Sequence, residues 1–143
     1  MSDARLTLVT IGVSDLKRSI AFYEALGFAR KARGAEGVGF FQAGACTIAV
    51  WPSAELAKDA RVAETPPPAF RGIALAWNCR SEADVDAAIE KARYAGGGVP
   101  KLPQKTSWGG YAGYFSDPDG HLWEVAYNPH FPLSDDDRLQ LPD

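Results

Sequence analysis

One carboxylate, Glu124, stands in an alternating run that is otherwise mostly apolar or aromatic, His121-Leu122-Trp123-Glu124-Val125-Ala126-Tyr127. Alternation of this kind marks a strand. It places His121, Trp123, Val125 and Tyr127 on one face and Leu122, Glu124 and Ala126 on the other. Three chemistries are open to an acid so placed. It is a structural carboxylate bonded to Arg, Tyr or backbone donors, a polar contact for a ligand, or a catalytic general base whose charged form is disfavoured by its apolar neighbours. No partner for catalysis is spaced to join it. The chain has 2 histidines; His121 is on the opposite strand face and His130 lies in the C-terminal tail. There is no Gly-x-Ser-x-Gly nucleophile elbow. Gly96-Gly97-Gly98 follows a helical pattern, so it reads as a helix cap and not as a phosphate-cradling loop.

Aromatic side chains are the second set that can do chemistry. Phe41, Trp51, Trp108, Tyr111 and Tyr114 are the candidate ligand-binding residues, and core packing is the competing reading for each. Trp123 and Tyr127 are expected to face helices, by alternation from Glu124. Trp108, in Ser107-Trp108-Gly109-Gly110, sits where glycines allow movement, and suits a lid over a flat ligand. If Phe115 pairs with His121, Tyr114 shares the face of Glu124 and Ala112 sits opposite the acid, leaving room for a ligand.

These residues need a scaffold. Asp117-Pro118-Asp119-Gly120 carries the signature of a type I turn, so 110–115 and 121–127 form a hairpin. Upstream, 6–13 reads as a buried strand. Ser14 or Asp15 caps a helix bearing Leu16, Ile20 and Tyr23, and Gly27 stops it. Short strands follow at 28–32, 38–42 and 46–51, with a turn at Ala43-Gly44-Ala45. A short helix over 53–60 opens a linker, 53–71, stiffened by Pro66-Pro67-Pro68. The order then repeats: a strand at 72–79, a helix capped by Ser81 with Val85, Ala88, Ile89 and Ala92 on its buried stripe, a short strand at 99–102 ended by Pro103, and the hairpin. An offset of about 70 residues between the halves points to internal duplication. The tail, 129–143, reads as a loosely packed acidic arm.

Composition bounds the rest. With 143 residues, 46% hydrophobic and 23% charged, the chain is sized for one domain with a real core. A net charge of −3 without a basic stripe argues against nucleic acid. No apolar run is long enough for a membrane span and no leader pattern is present. Cys46 and Cys79 read as reduced, buried thiols of a cytoplasmic protein.

Two stretches carry a family resemblance. Asp117-Pro118-Asp119-Gly120-His121-Leu122-Trp123-Glu124-Val125 resembles the last hairpin of the vicinal oxygen chelate superfamily, which includes glyoxalase I, extradiol dioxygenases and bleomycin- and fosfomycin-resistance proteins. Ile11-Gly12-Val13-Ser14-Asp15-Leu16-Lys17-Arg18-Ser19-Ile20-Ala21-Phe22-Tyr23-Glu24-Ala25-Leu26-Gly27-Phe28 resembles its first strand and helix. The resemblance implies an α+β fold of two βαβββ modules whose mixed sheets curl into a cup, with helices on the convex side. It also implies a homodimer. Metal-dependent relatives ligate with His, Gln and Glu on the first and last strands of each module. Those positions fall here at about Leu8, Ile48, Ala74 and Glu124, and only the last can ligate. A one-residue slip offers Val9 or Thr10, and Gln42 and Asn78 are poor ligands alone. No metal and no cofactor are therefore expected. The resemblance then implies a small aromatic or amphipathic ligand held in the cup, as in the bleomycin-resistance branch. The alternative is a lyase, isomerase or dioxygenase-type enzyme with a non-standard metal or with Glu124 as base.

Overall fold

A computed structural model describes residues 3–143. The chain forms two compact units, one ending at Pro66 and one running Pro67–Asp143. The first contains β1 (Leu8–Val13), α1 (Leu16–Leu26), β2 (Ala29–Lys31), β3 (Gly39–Ala43), β4 (Cys46–Pro52) and α2 (Ser53–Ala60). The second contains β5 (Leu75–Asn78), α3 (Glu82–Tyr94), β6 (Gly98–Lys105), β7 (Tyr111–Ser116) and β8 (Leu122–Tyr127). Each unit has one four-stranded mixed sheet, ordered β1-β4-β3-β2 in the first and β5-β8-β7-β6 in the second. The first and last strands of each unit pair in parallel and the others antiparallel. The fold is thus α+β with two βαβββ modules of identical strand order.

The helices start and stop for local reasons. Asp15 accepts from the Arg18 N–H to cap α1, and Gly27 ends it at φ 101°. Ser81 accepts from the Asp84 N–H to cap α3, whose acids Glu82 and Asp84 lie in the first turn and whose bases Lys91 and Arg93 lie in the last. Both sets suit the helix dipole. Helix α2 has the expected bounds but no side-chain cap, because Pro52 occupies that position. In the first unit Ile11, Val13, Phe22, Tyr23, Leu26, Phe41, Ile48 and Val50 are buried; in the second Val85, Ile89, Ala92, Phe115, Trp123 and Val125 are. The rings of Phe115 and Trp123 stack 5.7 Å apart, on the face of the sheet that meets α3.

Three sequence expectations change. Strand β6 does not stop at Pro103 but runs to Lys105, with register shifts on both sides of Lys101. It is an edge strand, where a missing N–H costs no ladder bond. Leu8 is not buried but 41% exposed. The tail is not a loose arm. Arg80 Nη2 reaches the Ser134 carbonyl and Asp137 Oδ1 at 2.8 Å each, and Leu133 bridges Leu139.

Candidate functional site

The hairpin that presents Glu124 is built by its turn. The Gly120 N–H bonds the Asp117 carbonyl at 2.9 Å, and Asp117 Oδ1, in a buried side chain, accepts from the Asp119 and His121 N–H groups at 2.9 Å each. This closure fixes the register of β7 on β8. Tyr114 lies opposite Glu124 and Phe115 opposite Trp123. Phe115 therefore does not pair with His121, which lies outside the strand. The residue facing Glu124 is a tyrosine and not Ala112, so the gap expected beside the acid is filled by a phenol.

Tyr114 Oη donates to Glu124 Oε2 at 3.1 Å. Burial, then the neighbouring carboxylate charge and this bond, push the Tyr114 phenol above its usual range. The phenol thus keeps its proton where an exposed tyrosine would begin to lose it. The pairing continues across the sheet, from Lys101 on β6 to Tyr114, Glu124 and then Ala76 on β5. Directly paired residues share a sheet face, so these four side chains form one row. Lys101 and Tyr114 of this row also line a groove of about 480 Å³, with Phe70, Gly72, Ile73, Ala74, Pro100 and Leu122. Phe70 and Ile73 are 69% and 66% exposed. Between them Arg71 ties the segment down, with Nη1 2.8 Å from His121 Nδ1 and Nη2 2.6 Å from the Asp119 carbonyl. An arginine can only donate, so His121 Nδ1 is the acceptor of this bond.

The other candidates disperse. Phe41 is fully buried, its ring 5.9 Å from that of Tyr23 on α1, so it is core and does not reach a ligand. Trp51 lies on the other face of its sheet, because Phe41 pairs with Ile48 and alternation separates Ile48 from Trp51. Tyr111 faces α3, where its hydroxyl donates to Asp86 at 2.8 Å; it does not share the face of Glu124. Trp108 is 43% exposed in a tight loop. Thr106 closes that loop, its N–H bonding the Gly110 carbonyl at 3.0 Å and its Oγ1 accepting from the Gly110 N–H at 2.9 Å. The Trp108 ring lies on Gly110, where any Cβ would overlap it.

The positions that the superfamily's metal would use do not supply a donor set. Leu8 pairs with Thr47, so it shares a face with Thr47 and Ala49 and not with Ile48. Ala74 and Ala76 carry no donor, and the Gln42 amide is used on the Gly44 and Cys46 carbonyls. Among the described residues, no group of three or more His, Cys, Asp or Glu is placed to hold a metal ion. A metal site needs roughly three such ligands, and the residues present do not fit one.

What sequence reasoning missed are the groove residues Phe70, Ile73, Pro100 and Lys101. Phe70 falls in the proline-bearing stretch that reads as linker, Ile73 in the stretch 72–79 that reads as strand but precedes β5, and Lys101 in a strand whose register bulges obscure. The one available signal was Phe70, a large apolar residue in the linker with no helical or strand period to bury it.

Two βαβββ modules, the second ending in a strand that presents an acid beside an apolar groove, define a class of protein. The profile of the Glyoxalase/Bleomycin resistance protein/Dioxygenase superfamily matches residues 5–125, and the chain belongs to that superfamily. Among solved structures, a glyoxalase-related enzyme from Fulvimarina pelagi is 34% identical, with 97% of this chain and 99% of that one covered and a TM-score of 0.87. A hypothetical protein from S. aureus is 24% identical over 90% of this chain and 95% of its own, with a TM-score of 0.76. A lactoylglutathione lyase from Agrobacterium tumefaciens is 19% identical over 89% and 96%, with a TM-score of 0.67. At these last two identities the likeness is one of fold alone. No curated protein matches the sequence.

Proposed function

We propose that the second unit binds a small aromatic or amphipathic organic molecule in the groove beside Tyr114, without the superfamily's usual metal. The observation that carries this reading is an open, mainly apolar groove with the Tyr114–Glu124 hydrogen bond next to it. Binding sites for small molecules have this make-up, with apolar walls supplying area and a few fixed polar groups setting orientation. Isothermal titration with aromatic and amphipathic probes tests it. Binding that Ile73→Asp abolishes supports the reading, and silence across the panel overturns it.

A second reading is an enzyme of the lyase or isomerase type, with Glu124 as the proton acceptor. Only Oε2 takes the Tyr114 bond, so Oε1 is left to accept a proton from a bound molecule. The Fulvimarina pelagi relative, described as a glyoxalase-related enzyme, favours this reading too. Glu124→Gln that stops a turnover while leaving the thermal midpoint in place supports it; a turnover that survives the change excludes it.

The reading extends to assembly and compartment. Strands β2 and β6 end their sheets and leave backbone groups for pairing, which supports the homodimer. Both cysteines are free thiols, which suits the reducing cytoplasm. No helix among the described residues is long and apolar enough to cross a membrane.

A further inference from the structure

The groove has a charge in its lining that its apolar walls do not explain. Lys101 lines it, exposed, and makes no ion pair among the described residues. Other cations of this unit are engaged: Arg71 by His121 and the Asp119 carbonyl, Arg80 by Asp137, Arg93 by Glu90, Lys105 by Glu82 and Arg138 by Asp136. Lys91 lies on α3 and lines a different groove. An ammonium left unpaired in the lining of an apolar groove attracts an anion whose body the walls can cover.

The row across the sheet narrows the choice. Lys101, Tyr114 and Glu124 stand on successive strands, which lie about 4.8 Å apart, so the ammonium and carboxylate stems leave the sheet about 10 Å from each other. Tyr114 separates them, its proton committed to Glu124. A dianion spanning the row would meet the Glu124 charge. A cation lodged by Pro100 would meet Lys101. A molecule with one anionic group at the Lys101 end, and an uncharged aromatic body along Ile73, Ala74 and Leu122, meets neither repulsion.

We propose that the groove selects small aromatic monocarboxylates, with Lys101 as the residue that sets this preference. The inference rests on the reading of the groove as a ligand site and names its ligand class. Lys101 is a specificity residue here and takes part in no bond-making step.

The test compares benzoate, phenylpropanoate and naphthoate, each against its neutral amide, by isothermal titration with the whole chain. The acids should bind about fivefold tighter than their amides, the ratio an ion pair at an exposed site provides. Lys101→Met, which keeps the apolar stem, should bring each acid to the affinity of its amide, so that the acid-to-amide ratio falls to about one. Raising the salt concentration should weaken the acids alone. Acids and amides that bind equally to the parent chain overturn the Lys101 assignment and leave the groove reading standing. If no probe binds, the groove reading fails and this inference with it. If no probe binds and Phe70→Ser turns a dimer into a monomer, the apolar face belongs to a second copy, and both readings are overturned.

Discussion

At the scale of single residues, the Tyr114–Glu124 bond makes two measurable claims. The folded state holds the Tyr114 proton more tightly than the unfolded chain does, because burial and the adjacent carboxylate both disfavour phenolate. A raised folded value means that this contribution to stability is complete below the ordinary tyrosine range, about pH 10, and is lost as pH rises through the folded value. Tyr111 is also raised, chiefly by its bond to Asp86. Absorbance titration near the phenolate band should therefore show one fewer late-ionising tyrosine in Tyr114→Phe than in the parent. That substitution should also cost about 1 kcal/mol in denaturant unfolding, the size of a partly exposed hydrogen bond to a charged acceptor. The cysteines make a parallel case. Burial, then the charge of Asp84, lifts Cys79 from its ordinary value of 9.0 to about 11. Its stabilising contribution is full below the unfolded value and declines as pH climbs toward the folded one. The thiolate is the reactive form, so at mildly alkaline pH a disulfide reagent should label Cys46, the half-buried thiol, well before Cys79. Denaturant should remove the difference, and equal rates in the folded protein would contradict this placement of Cys79.

Elements decide how such residues meet. Arg71 fixes the segment that carries Phe70, Ile73 and Ala74 onto the hairpin turn, so it shapes one wall of the groove without itself lining it. Arg71→Ala should weaken ligand binding while leaving the bond between Tyr114 and Glu124 in place, which the tyrosine titration would report as unchanged. If binding survives at full strength, the wall holds its form without the clamp. At the β6–β7 loop, a Cβ on Gly110 would overlap the Trp108 ring and come within 2.5 Å of the Tyr127 carbonyl oxygen. Backbone cannot give way as a side-chain tip does. Gly110→Ala should therefore cost about 1–3 kcal/mol by denaturant unfolding, and Trp108→Ala in the same chain should recover only the part due to the ring. These elements also mark what was readable in advance. The caps Asp15 and Ser81, the stop at Gly27 and the Asp117 turn are local devices, set by a few neighbouring residues. That is why both helices and the hairpin could be read from sequence. Glu124 and Tyr114 followed from strand alternation alone. Their direct pairing did not, because a shift of two residues at the turn changes the partner while leaving the face unchanged, and only a one-residue slip would flip it. Phe41 and Trp51 show the same limit, since each was placed by residue type before the register of β3 on β4 was known. Pro103 misled for a different reason: whether proline ends a strand depends on whether that strand lies at an edge, and an edge is a property of the whole sheet.

For the whole molecule, the repeated strand order explains why membership of the superfamily was legible while its chemistry was not. The duplicated scaffold is specified by turns, caps and apolar periodicity, which both modules keep. A metal centre depends on a few individual residues, and those vary without disturbing the scaffold. In this chain the positions that would hold a metal fall at Leu8, Ile48 and Ala74, none of them a donor, and at the acid Glu124, while His121 is tied to Arg71. One carboxylate with a phenol partner holds a divalent ion weakly. The expected outcome is a thermal midpoint that neither rises on adding zinc, nickel, manganese or ferrous ion nor falls on exhaustive chelation. A ligand that binds the folded state at a hundred times its dissociation constant adds about 2.7 kcal/mol, so a true site would shift the midpoint by several degrees. Metal content after dialysis provides the independent check. One retained equivalent, lost in Glu124→Gln, would show that donors beyond those on the sheet of the second unit complete a site, and would restore metal chemistry to this protein.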